Sequence, residues 1–90
     1  MNYLSLDKCK INIKYQICDI KLNNSGIDFY KMFGIEVGCI IEAHAKSLLG
    51  KTIKLVIYLQ LGQNAIMIRS CDAKNILIKA VWFIIIISKF

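Results

Sequence analysis

From Lys10 to Ile17 polar and apolar residues alternate, with Lys10, Asn12, Lys14 and Gln16 on one parity and Ile11, Ile13, Tyr15 and Ile17 on the other. Side chains on a strand point alternately to its two faces. This period of two therefore predicts a half-buried strand with the isoleucines and Tyr15 turned inward. Asn23-Asn24-Ser25-Gly26 breaks the pattern. Ser25 and Asp28 then have the spacing of a capping box, and Ile27, Tyr30 and Phe33 recur on one helical face, which predicts a short helix over about 26–33. Gly34 follows where a left-handed C-terminal cap belongs, and Gly38 supplies the positive φ that residues with a Cβ resist. Beyond it, Cys39–Lys46, Ile53–Leu59, Ala65–Arg69 and a segment starting at Ile76-Leu77-Ile78 read as four further strands. The 53–59 run is mostly apolar and is expected to be central. Ser47–Thr52 and Gly62–Asn64 are expected as loop and turn, and Ser70–Asn75 as one helical turn capped by Ser70. Five short strands with one small helix predict a mainly β chain, a small and strongly bent antiparallel barrel.

Ninety residues make one domain at most. Charged residues are only 20% and apolar ones 57%, which argues against disorder. The apolar excess gathers at the end, in Ala80-Val81-Trp82-Phe83-Ile84-Ile85-Ile86-Ile87. Residues 1–79 therefore read as the barrel domain and 80–90 as an apolar C-terminal extension, expected as an added strand, with a dimer contact or a partner surface as the alternatives. The eight-residue run is far short of the roughly 20 residues that span a bilayer. Met1–Asp7 lacks the basic start and apolar stretch of a signal peptide. Without one, the four cysteines (Cys9, Cys18, Cys39, Cys71) are expected as reduced thiols, small and buried or half-buried, with Met67, Met32 and the remaining thioether as core filler.

Twelve Lys+Arg against six Asp+Glu leave a net charge of +6, so an acidic partner or an anionic lipid face attracts the chain. Lysines gather near the first strand (Lys8, Lys10, Lys14, Lys21) and around the middle loop (Lys46, Lys51, Lys54). Nucleic-acid binding is not expected, because it wants exposed aromatics between the lysines, and Tyr15 and Tyr58 read as inward or central. No catalytic set can be assembled, since His44 is the only histidine. Glu42 and His44 share a strand face and Cys39 takes the other, which makes a surface pair rather than a metal centre. Leu49-Gly50-Lys51-Thr52 reads GKT, but the glycine a phosphate loop needs five residues before Gly50 is absent.

Met32-Phe33-Gly34-Ile35-Glu36-Val37-Gly38-Cys39-Ile40-Ile41-Glu42 resembles the FeoA family of ferrous-iron uptake proteins, whose signature is a short helix ending in an apolar-Gly-apolar-x-x-Gly turn before a strand. Ser47–Thr52 sits where the family has its Ala-Pro-Leu-Gly-Asp-Pro loop. Gly62, Ile66-Met67-Ile68-Arg69, Ala73 and Ile76 are similar to its closing pattern, and Leu4–Lys10 to its leader. The chain departs from the family in having no proline, and in carrying Phe29 and Tyr30 where arginines are common in the helix.

The resemblance implies an SH3-like barrel, a cytoplasmic location and no catalysis, and the residues themselves give no cofactor or metal site to expect. It further implies docking on the cytoplasmic GTP-binding region of the FeoB transporter. The residues expected at that contact are Met32, Phe33, Gly34, Ile35, Gly38, Leu48 and Leu49. Peripheral proximity to the membrane and self-association are both compatible with this reading. The alternative reading is a metal-responsive regulatory module similar to the SH3-like domain of iron-dependent repressors.

Overall fold

The computed structural model describes residues 3–81. Six antiparallel strands form one sheet: β1 (Leu4–Ser5), β2 (Lys14–Ile20), β3 (Ile40–Lys46), β4 (Thr52–Leu59), β5 (Gly62–Arg69) and β6 (Ile76–Ala80). Their order across the sheet is β1-β6-β2-β3-β4-β5. Strands β2 to β5 run as a meander, and the strand expected to be central, β4, is an interior one flanked by β3 and β5, with Ile53, Leu55 and Ile57 enclosed. β6 returns from the far end of the chain to lie between β1 and β2. The core is apolar throughout, and no polar or charged side chain is buried among the described residues.

The mainly β, SH3-like class holds, with two corrections. A sixth strand exists: Leu4–Ser5 pairs with Ile78 and Leu77, and two residues are too few to carry a period. The described pairings also leave β1 and β5 as edges that do not join, so the sheet is bent but open and is a barrel only loosely.

Helix α1 (Asn24–Lys31) starts earlier than expected. Its cap is Asn23, whose Oδ1 accepts from the Gly26 N–H at 2.8 Å and from Ser25 Oγ at 3.1 Å. Asn23 reaches the third amide of the helix first, and Ser25 is drawn in as a donor instead of serving as the cap. The other end is as expected. Gly34 has φ +92°. Its N–H donates to Lys31 O at 3.0 Å, while the Ile35 N–H donates to Tyr30 O at 3.1 Å. This is the Schellman pair that satisfies the last carbonyls of a helix. A single turn, α2 (Ser70–Ala73), precedes β6. Its Ser70 hydroxyl does not cap it but donates to Gly50 O.

The alternation from Lys10 misplaces the first long strand. Ile11 and Ile13 are 42% and 37% exposed, and the ladder begins only at Lys14. Asn12 adopts φ +64° and donates its N–H to Ala43 O at 2.8 Å, which turns the chain before pairing starts. A bulge between Ile17 and Asp19 re-aims the far end of β2. Gly62–Asn64 belongs to β5 rather than to a turn: Leu59 pairs with Gly62, so the β4–β5 loop is Gln60-Leu61 alone. The extension that begins at Ala80 enters the described part only as the end of β6 and as Val81, which is buried and donates to Lys14 O at 3.3 Å. The expectation for 82–90 lies outside the described residues.

Candidate docking surface

The register of β3 and β4 sets where the expected contact residues stand. Ile40 pairs with Tyr58 at one end of the ladder and Lys46 with Ile53 at the other. The helix-to-strand turn opens onto the first end and the β3–β4 loop onto the second. At about 3.3 Å per residue, roughly 20 Å of strand lies between them. The seven residues therefore fall into separate groups.

At the first end α1 runs into the turn of Gly34 and Gly38. Gly34 sits against β4, where an added Cβ would lie 2.9 Å from Leu59 Cδ2. Asn64 Nδ2 donates to Phe33 O at 3.2 Å and ties the end of the helix to β5. Gly38, at φ +97°, donates its N–H to Ile17 O at 2.8 Å, and its own carbonyl accepts from Gln16 Nε2 at 3.2 Å. Met32 is 80% exposed here, and Phe33 is half-buried. Ile35 is wholly enclosed and leaves the surface: its amide completes the helix cap and its side chain fills the core. Sequence reasoning missed Leu61 (99% exposed) and the exposed Val37 and Leu59. A leucine between Gln60 and Gly62, in a loop too short to fold it back, was the available signal for the first of these.

At the second end Leu48 and Leu49 project from the β3–β4 loop. Ser47 organises it: its hydroxyl accepts from the Lys51 and Thr52 amides at 2.9 and 3.1 Å.

On the open face of the sheet, His44 Nε2 lies 3.4 Å from Glu42 Oε2, as the strand parity predicts. Glu42 Oε1 also accepts from Tyr58 Oη at 2.7 Å, and Lys14 Nζ stands 4.5 Å from the centre of the Tyr58 ring. Tyr58 is thus a half-buried outer-face residue and not an inward one. Its hydroxyl pKa is raised, first by the bond to Glu42 and then by burial. Among the described residues, no three His, Cys, Asp or Glu side chains converge as a metal cage would require.

A cleft of about 680 Å³ lies between α1, β5 and α2, lined by Lys21, Phe29, Tyr30, Met67, Arg69 and Asp72 among others. Met67 is exposed in its wall, and neither it nor the 80% exposed Met32 is core filler. Tyr30, only 4% exposed, donates its hydroxyl to Asp72 Oδ2, and Arg69 reaches the same oxygen at 3.5 Å. Burial and that carboxylate push the Tyr30 pKa far up. The trio locks the helix to α2 and keeps its protons in place, so it works as a clamp.

No protein-family model and no curated protein matches the chain. Solved structures do. The solution structure of an FeoA-like protein from Clostridium acetobutylicum superimposes with a TM-score of 0.74, at 22% identity over 90% of each chain. That of an FeoA protein from Chlorobium tepidum gives a TM-score of 0.76, at 13% identity over 87% of this chain and 70% of the other. The bent six-stranded sheet with its helix-capping Gly34 turn is the fold of the FeoA proteins.

Proposed function

We propose that the chain is a non-enzymatic accessory protein of ferrous iron uptake that works in the cytoplasm by docking on the GTP-binding region of an FeoB-type transporter. The likeness to FeoA and FeoA-like structures over nine-tenths of the chain carries this reading. The contact is the end built around Gly34 and Gly38, where Met32 and Leu61 stand exposed above a turn pinned by the helix cap and by Asn64. Apolar side chains held on a pre-formed turn lose little entropy when a partner covers them, which makes them efficient anchors. No helix among the described residues is long and apolar enough to cross a membrane.

The test is calorimetric titration of the transporter's cytoplasmic domain with the full chain. Met32→Asp and Leu61→Asp are each expected to weaken binding at least tenfold, since each places a charge in an apolar contact. Binding unchanged in a folded Met32→Asp/Leu61→Asp double variant would remove this surface from the reading.

A further inference from the structure

We propose that the Leu48–Leu49 tip of the β3–β4 loop inserts into the headgroup region of an anionic lipid bilayer. Leu48 is 104% exposed and Leu49 79%, so neither packs against the described residues. The exposure is built into the loop. The Ser47 N–H donates to Thr52 O and the Gly50 N–H to Ser47 O, both at 2.9 Å, in addition to the two amides that the Ser47 hydroxyl accepts. The start of α2 braces the loop from the side: the Ser70 N–H donates to Lys51 O at 2.8 Å and the Ser70 hydroxyl to Gly50 O. The loop is thereby held by bonds that leave both leucines pointing out.

Charge identifies the occupant. Lys51 and Lys54 are exposed just behind the tip, and Arg69 stands opposite Thr52 across the ladder. Lys46 is anchored at the base of the loop, its Nζ donating to Cys9 O at 2.6 Å and to Asp7 O at 3.2 Å. The acidic groups on this side are Asp72, engaged by Tyr30 and Arg69, and Asp7. Leu61 is an internal contrast. It is equally exposed, yet its hairpin carries no Lys or Arg from Leu59 through Ile68. Peripheral binding takes two signals together, apolar insertion and attraction to anionic headgroups, and this tip has both. Its shape favours a bilayer over a protein: a projecting pair of leucines suits a soft interface, whereas a protein partner must offer a matching pocket.

The experiment is co-sedimentation of the full chain with vesicles of phosphatidylcholine alone and of phosphatidylcholine with about one-third phosphatidylglycerol. Binding is expected with the anionic vesicles, to fall steeply with added salt, and to be slight with neutral ones. Leu48→Asp/Leu49→Asp is expected to lose tenfold or more in affinity while keeping its circular dichroism. Each of Lys51→Gln and Lys54→Gln should cost about fivefold. Failure to sediment with anionic vesicles overturns the proposal. So does anionic binding that the leucine variant leaves intact, which would mean charge alone. Equal binding to neutral vesicles overturns the electrostatic half of the argument. Loss of binding to the transporter domain in the leucine variant, with vesicle binding unchanged, would assign the tip to a protein contact and overturn it as well.

Discussion

Replacing Tyr30 by Phe removes one hydroxyl and nothing else. The ring stays buried at 4% exposure, so no cavity opens. What disappears is a hydrogen bond to a carboxylate that ties α1 to α2 across 42 residues of chain. Bonds to charged groups contribute a net ~1.5–3 kcal/mol. Asp72 keeps 20% exposure and the Arg69 contact, so it can take up water, and the lower half of that range applies: about 1.5–2 kcal/mol. In a domain of this size that lowers the melting temperature by roughly 10 °C. Asp72→Ala should cost at least as much, because it leaves the Tyr30 hydroxyl buried without an acceptor.

Burial of the hydroxyl, together with that bond, also fixes a pH dependence. Tyr30 has a folded pKa raised above its unfolded value of about 10, so its contribution is complete below that pH. Above it the unfolded chain ionises first, and the contribution fades as pH rises toward the folded value. Urea unfolding of the wild type and Tyr30→Phe, at about pH 7 and again at about pH 11, measures both effects. A gap under about 0.5 kcal/mol at neutral pH, or a gap undiminished in alkali, would refute the clamp.

Gly38→Ala should cost about 1–2 kcal/mol in urea unfolding, for backbone strain alone, since nothing lies within 4 Å of the added Cβ at φ +97°. Gly34→Ala adds a 2.9 Å approach to Leu59 Cδ2, and any excess over Gly38→Ala should vanish in the Gly34→Ala/Leu59→Ala double variant. Thiol labelling of the native chain should modify exposed Cys71 first and leave Cys9 until unfolding. Burial pushes the Cys9 pKa up despite the opposing pull of Lys46, so it stays a protonated, shielded thiol. Equal labelling rates for the two would contradict the enclosure of Cys9 at 2% exposure.

The exposure of Cys71 departs from the expectation that all four thiols are at least half-buried, because the single turn of α2 faces its cysteine to solvent while Ala73 enters the core. Residue type alone does not say which side of a four-residue helix meets the sheet. The proposed docking surface was legible in part. Met32 and the Gly34–Gly38 turn could be read from an apolar-glycine spacing, but the enclosure of Ile35 could not, because it depends on the 30-to-35 bond that folds the chain back under α1.

Local rules did most of the work along β3 and β4, whose apolar runs announce strands wherever they pair, and at Gly34 and Gly38, whose positive φ is a property of one residue. These the amino-acid order determined by itself. Packing decided the rest: that Asn12 turns left-handed and sets Ile11 and Ile13 outside, that Leu4–Ser5 becomes a strand because β6 comes back to meet it, and that Met32 and Leu48 stand at opposite ends of one ladder. The physical reason is range. Periodicity and φ act within a few residues, whereas burial and the distance between the exposed Met32 and Leu48 depend on which strands find each other.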